Sequence, residues 1–277
     1  MQPPPEILMG EFAPGRLETP PPRAIRVVDW NIDRGLHLDG IIDFLCSSGA
    51  DLLLLQEADL NARRTHRLNI AEEIARALGM NYVFAREFQE LLEGSRGSPA
   101  YHGQATLSRW RLQHPRWIRF RSQSHFWQPH WFVPRVHPFQ VRLGGRVALV
   151  VEAVAAGRRL VSYNLHLESR GPDHLRIAQL DEVLSDASEY GAGTPLLVAG
   201  DLNLDASRPP ASGLIARNGL RSVAGPPGRP TMPRHLFVPG RAIDWAFARG
   251  PIQAERAKVH SLARVSDHYP LSFTLTF

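Results

Sequence analysis

The chain has 277 residues, 43% apolar and 21% charged, which is the balance of an ordinary soluble globular protein and excludes a disordered or fibrous one. Its single cysteine, Cys46, excludes an intrachain disulfide, and a reducing compartment fits that best. The formal charge of +5 suits a polyanionic partner, but every basic residue except Lys258 is arginine. With the abundant Ala, Gly and Pro, that skew resembles the codon bias of a GC-rich genome, so the charge alone carries little weight.

Residues 1–23 are rich in proline and read as an extended tail or a strap across the domain surface. They lack the basic-then-apolar order of a secretory leader, and no run of 18 apolar residues follows, so no membrane-spanning helix and a cytoplasmic location are expected. From residue 24 to 277, short apolar runs alternate with amphipathic stretches. Ala24–Trp30 reads as a strand, and Leu38–Cys46 places Ile41, Ile42 and Leu45 on one helical face. Asp51–Gln56 (DLLLLQ) is a continuous apolar run of strand length, as in a strand buried on both faces. Asn69–Leu78 reads as a helix capped by Asn69 and stopped at Gly79. Strands are expected at Arg146–Ala153, Arg159–Asn164, Pro195–Gly200, Ala242–Phe247 and Tyr269–Thr276, with a helix over about Asp173–Ser185. No composition break divides residues 24–277, and the mixture implies one α/β sandwich with helices outside packed sheets.

The segment Pro99–Pro138 holds four of the six tryptophans, Trp110, Trp117, Trp127 and Trp131, with several histidines and arginines. It reads either as sandwich strands and packed loops or as a substrate-facing rim of stacking rings and cations.

Polar residues recur where the strands run out: Asn31 and Asp33, Gln56 and Glu57, Asn164 and His166, Asp201 and Asn203, Asp244, then Asp267 and His268. One Asp or Asn after a strand is ordinarily a turn residue. Strand ends can nevertheless share one crevice in a sheet, where these groups would meet. Glu57, Asp201 and Asp267 offer hard oxygens, and the amides of Asn31 and Asn203 add neutral ones, a set that suits Mg²⁺ or Mn²⁺. With one cysteine and no HExxH motif, a closed structural zinc site is not expected. His166 and His268 could donate to phosphate oxygens, and Asp244 could hold His268 protonated.

The ordered blocks WNID, QE, NLHLES, GDLN, IDWAF and SDHYP resemble the endonuclease/exonuclease/phosphatase superfamily from about Ile25 to Phe277. The resemblance implies a four-layer α/β sandwich with two central mixed sheets and metal-dependent hydrolysis of phosphoesters. It makes Glu57 the principal ligand of Mg²⁺ or Mn²⁺, with Asn31 and Asp267 in support. It makes Asp201 the group that activates or orients water, with Asn203 beside it. His268, paired with Asp244, and His166 become donors to the phosphoryl oxygens. The block His166–Arg170 with Arg176 and Gln179 is similar to that of tyrosyl-DNA phosphodiesterases of the second type. It departs where Arg34 precedes the glycine, where Arg170 comes one residue early, and where Leu204-Asp205 follows GDLN without that branch's arginine. A DNA-directed phosphodiesterase or nuclease is therefore expected, with Arg170, Trp127 and Trp131 as substrate contacts. A lipid or small-molecule phosphodiesterase of sphingomyelinase type is the alternative.

Overall fold

The apolar runs pair into two sheets in a computed structural model, which describes residues 6–13, 24–128, 141–155, 157–223, 229–233 and 239–277. Labelled in chain order, the first sheet contains β1 (Ile7–Gly10), β2 (Ala24–Arg34), β3 (Leu52–Leu60), β4 (Asn81–Ser95), β5 (Ser98–Ser108), β7 (Arg142–Gly144), β13 (Gln253–Val259) and β14 (Leu271–Thr276). Its order is β1-β4-β5-β3-β2-β14-β13, with β7 also on β4. The second sheet contains β6 (Leu112–Arg119), β8 (Val147–Ala155), β9 (Arg158–His166), β10 (Leu196–Asp201), β11 (Arg221–Ser222) and β12 (Asp244–Arg249), in the order β11-β12-β10-β9-β8-β6. Each is mixed, with β2 parallel to β3 in the first and β9 parallel to β10 in the second.

The alternation of side chains along a strand explains the four leucines of DLLLLQ. Leu52 and Leu54 point inward with Ile25 and Val27, and meet Leu160, Leu197, Ala199 and Ala246 from the second sheet. Leu53 and Leu55 point outward, with Val28 and Trp30, against Ile41 and Leu45 of α1 (Leu38–Ser48) and Ile70 and Ile74 of α2 (Ile70–Leu78). On the far side, Val161, Tyr163, Leu165 and Val198 pack under Leu180, Val183 and Leu184 of α3 (Asp173–Ser188) and Leu214 of α4 (Ala211–Arg217). The layers run helix, sheet, sheet, helix, as the sandwich reading implied. Among the described residues, no helix is long and apolar enough to cross a membrane.

Local signals held where they had a mechanism. The Asn69 side chain accepts from the Glu72 backbone N–H at 3.3 Å, and Gly79 closes α2 at φ 59°. Residues 7–10 of the Pro-rich segment add an antiparallel edge strand to β4. Within 99–138, β5 and β6 are strands, Trp110 packs at the inter-sheet core, and Trp117 lies on β6. Trp131 lies outside the described residues.

The sheets are joined beneath one end of the sandwich by side-chain amides. Asn164 of β9 donates to the carbonyls of Leu55 and Ala105 at 3.1 and 2.9 Å, across to β3 and β5. Gln56 donates to Asn164 Oδ1 and to Asp29, both at 2.8 Å. These polar atoms are buried, so the bonds satisfy groups that water cannot reach.

Candidate active site

Strand register does most of the assembly. Asp201, the last residue of β10, lies beside His166 on β9 and beside Asp244 on β12. Gly200 permits this approach: its φ is 143°, and a Cβ there would stand 2.0 Å from the Leu165 carbonyl oxygen. On the first sheet, Asn31 of β2 lies beside Gln56 of β3. Both strands then break register, between Asn31 and Arg34 and between Leu55 and Ala58. At the second break Glu57 takes φ 57°, a left-handed backbone that a non-glycine residue adopts at a cost, and bulges of this kind re-aim a side chain.

The two sets of strand ends face each other. The Asn31 amide donates to Asp201 Oδ2 at 3.2 Å, while the backbone N–H of Asn203 donates to Asp201 Oδ1 at 2.8 Å. Asn203 also donates through its side chain to the Leu167 carbonyl at 3.2 Å. His166 Nε2 stands 3.8 Å from Glu57 and 3.7 Å from Asp201. The loop before β14 is tied down by Ser266, which donates to the Asn31 carbonyl at 2.7 Å, and by Trp30, whose indole donates to the His268 carbonyl at 2.9 Å. His268 Nδ1 then faces both Asp244 oxygens at 3.0 and 2.9 Å, and its Nε2 is 3.9 Å from Asp201. Asp244 in turn is fixed by its backbone N–H, which donates to Thr231 Oγ1 at 3.0 Å.

The electrostatics follow from this packing. Burial opposes charge on Glu57, but His102, His166, Arg34 and Arg146 outweigh it and hold the carboxyl well below the usual range. Burial raises the pKa of Asp201, Asp244 adds to the rise, and His268 and His166 oppose it. For His268 burial disfavours the imidazolium, yet Asp244, then Asp201, push its pKa up to about 10. Asp267 is exposed at the mouth. Partial desolvation raises its carboxyl, and Asp33 and Glu57 add to that against the pull of His268. Asp33 and Glu57 thus each repel Asp267, a repulsion that a dication would relieve, and these hard oxygens fit Mg²⁺ or Mn²⁺.

Eight expected residues therefore converge: Asn31, Glu57, His166, Asp201, Asn203, Asp244, Asp267 and His268. Arg170 is exposed, with its guanidinium 5.1 Å over the ring of Phe126, itself 53% exposed. Trp127 is only 5% exposed, packs edge-on to Phe126 and donates its indole N–H to Glu168 at 3.0 Å. Glu168 also accepts from the Arg170 backbone at 2.9 Å, while Arg176 and Gln179 of α3 bond the Glu168 backbone. The HLES block and the Arg176–Gln179 pair thus form one locked unit. Arg241 donates to the Asn203 carbonyl at 3.1 Å and lines an open groove with Arg208, Leu204 and Ile177.

Sequence reasoning missed two buried side chains behind Glu57 and His166. His102 of β5 is fully buried with Nε2 3.9 Å from Glu57. Arg146 is also buried, 2.7 Å from His166 Nδ1 and 3.1 Å from Glu87. Burial would raise the Glu87 carboxyl, but His166 and Arg146 bring it down to about 2.

The sequence profile of the Endonuclease/Exonuclease/phosphatase family matches residues 30–268. The chain belongs to the endonuclease/exonuclease/phosphatase family. The fold is shared with the family's protein from Beutenbergia cavernae DSM 12333 (19% identity, TM-score 0.65, 92% of this chain and 72% of that one). TDP2 from C. elegans is similar at 18% identity and TM-score 0.61, over 92% of this chain and 75% of that one. The human Nocturnin catalytic domain with bound sulfate matches at 20% identity and TM-score 0.62, over 98% and 97%. None of the curated proteins compared matches the sequence. As a family member, the chain has the framework of a phosphoester hydrolase, and its converging blocks are those that carried the family resemblance.

Proposed function

We propose that the protein is a Mg²⁺- or Mn²⁺-dependent phosphodiesterase acting on DNA. The observation that carries this reading is the convergence of Asn31, Glu57 and the Asp267–His268 loop before β14, all from the first sheet, with His166, Asp201, Asn203 and Asp244 from the second. Glu57, with Asn31 and Asp267, would hold the ion. Once bound, the ion would supply Lewis-acid stabilisation of charge on the phosphoryl group. Asp201, its pKa raised by burial, orients the attacking water and accepts its proton, while Asn203 fixes Asp201 from the opposite side. His268, kept cationic by Asp244, donates from Nε2 to a non-bridging oxygen as negative charge develops there, and His166 donates beside it.

For the substrate, the similarity of the HLES block to tyrosyl-DNA phosphodiesterases of the second type and the shared fold with TDP2 support DNA. Arg170 over Phe126 offers a cation and a ring face at the rim, braced from beneath by Trp127. Trp131, in the same segment, joins them as a substrate contact in this proposal. Arg208 and Arg241 line the groove beside Asn203, where further phosphates of a polynucleotide would find cations. A substrate panel with and without EDTA tests the reading: single- and double-stranded DNA, 5′-tyrosyl DNA, sphingomyelin and bis-p-nitrophenyl phosphate. Cleavage of the DNA substrates that stops with EDTA and weakens steeply with salt is expected. Activity that survives EDTA would remove the metal, and cleavage of sphingomyelin alone would move the enzyme to the lipid branch.

A further inference from the structure

His102 and His166 both approach Glu57, and their hydrogen bonds put the ring protons on opposite nitrogens. His166 Nδ1 lies 2.7 Å from an Arg146 guanidinium nitrogen. A guanidinium only donates, so Nδ1 is the acceptor and Nε2 carries the hydrogen. Glu87 lies farther from the same Nδ1, at 3.5 Å, and takes its bond from Arg146. With hydrogen on Nε2, His166 can donate to an oxygen but cannot ligate a cation there.

His102 is the reverse. Its Nδ1 faces Asp59 Oδ1 at 3.1 Å. Arg64 grips the same carboxylate with two bonds of 2.7 and 2.8 Å, and Thr65 adds a weaker one. A carboxylate held by a guanidinium accepts, so His102 donates from Nδ1 and turns the Nε2 lone pair towards Glu57. That nitrogen is buried and has no hydrogen-bond partner. Its distance from Glu57 Oε2, 3.9 Å, is too long for a hydrogen bond. Two metal–ligand bonds of about 2.1 Å would span it. A carboxylate behind an imidazole whose far nitrogen faces an anionic ligand is the usual support of a metal-binding histidine.

We propose that His102 supplies a nitrogen ligand to the dication held by Glu57, so that the site favours a transition-metal ion such as Mn²⁺ over Mg²⁺. The inference rests on the metal-dependent reading above and adds a ligand to it. Imidazole nitrogen suits first-row transition metals, whereas Mg²⁺ keeps to oxygen and water. Arg34, whose guanidinium is 3.7 Å from the same Glu57 oxygen and is 30% exposed, has room to swing outward as the ion enters.

The test uses the full chain stripped of metal, titrated calorimetrically with Mn²⁺ and with Mg²⁺. Electron spin-echo envelope spectra of the Mn²⁺ complex then report directly bonded nitrogen. The wild type should show ¹⁴N coupling from one imidazole. His102→Phe and His102→Gln should lose it and bind Mn²⁺ at least about tenfold more weakly, with a much smaller change for Mg²⁺. His166→Gln should keep the coupling. Circular dichroism of the metal-free variants checks folding. If neither His102 variant folds, the wild-type and His166→Gln spectra decide. Mn²⁺ bound without nitrogen coupling, or coupling that persists in a folded His102 variant or vanishes in His166→Gln, overturns the assignment of His102 alone. Failure of the wild type to bind either ion would overturn the metal-dependent reading as well.

Discussion

Replacing Asp244 by asparagine would keep the shape of the pocket and remove the charge that faces His268. Burial works against the imidazolium, yet the His268 pKa is pushed from 6.5 up to about 10, first by Asp244 and then by Asp201. A displacement of that size corresponds to several kcal/mol of preference for the charged ring. The share carried by the Asp244 hydrogen bond is about 1.5–3 kcal/mol, that of a bond to a charged group. If the imidazolium stabilises the transition state, losing that share lowers kcat by about ten- to a hundredfold. A pKa raised in the folded state contributes stability that is complete below the unfolded value of 6.5 and is lost as pH rises through about 10. In metal-free wild-type protein, imidazole NMR should therefore find His268 protonated across neutral pH. In Asp244→Asn the titration should fall by at least about one pH unit, since burial persists and only Asp201 and Asp267 still favour the cation. Wild-type His268 titrating near 6.5, or a titration unmoved by Asp244→Asn, would refute the reasoning.

Gly200→Ala should destabilise the fold by about 3 kcal/mol or more in urea titration, because its Cβ would strike the Leu165 carbonyl on the neighbouring strand. Asn69→Ala should cost about 1 kcal/mol through loss of the α2 cap, with no effect on KM. Arg64→Met should cost about 3–5 kcal/mol, because it leaves the buried carboxylate of Asp59 without its ion-pair partner. Burial opposes the Asp59 charge, but His102 and Arg64 lower its pKa, so the wild-type contribution is present above 3.8 and fades as pH falls through the lowered value. The gap between wild type and Arg64→Met should narrow in acid, and a constant gap from pH 7 to 3 would contradict that account.

The parts legible in the sequence were those with short-range causes. The double-sided burial of Leu52–Leu55, the Asn69 cap and the polar ends of β2, β3, β9 and β10 all read directly from adjacent residues. The long β4–β5 hairpin was not delimited, because Asn81–Ser95 carries charged residues such as Glu87 and Glu90 at buried positions. Their burial depends on Arg146, Arg64 and Arg142, all distant in the chain or from other strands. His102 and Arg146 were missed for the same reason: each sits mid-strand or at a strand start, where nothing local marks it as facing Glu57. Trp127 shows the converse. Its residue type signalled a contact surface, but its indole is spent on Glu168, and the exposed ring at that place is its neighbour Phe126.

The proposed site is split between the two sheets. Asn31, Glu57 and the Asp267–His268 loop rest on the first, His166, Asp201 and Asp244 rest on the second, and the relative position of the two sheets therefore sets the distance from Glu57 to His166 and Asp201. Apolar packing alone specifies that position poorly, since hydrophobic contact is non-directional and tolerates small slides. The Asn164–Gln56 pair is directional. Asn164 fills the carbonyls of Leu55 and Ala105, one of them at the edge of the break that turns out Glu57, and it lies two residues before His166. A slide of either sheet would orphan four buried hydrogen-bonding groups, each costing about 1–3 kcal/mol. The amides beneath the site thus act as the gauge between its halves, which explains why polar residues persist in an interface that would otherwise pack well with leucine and valine.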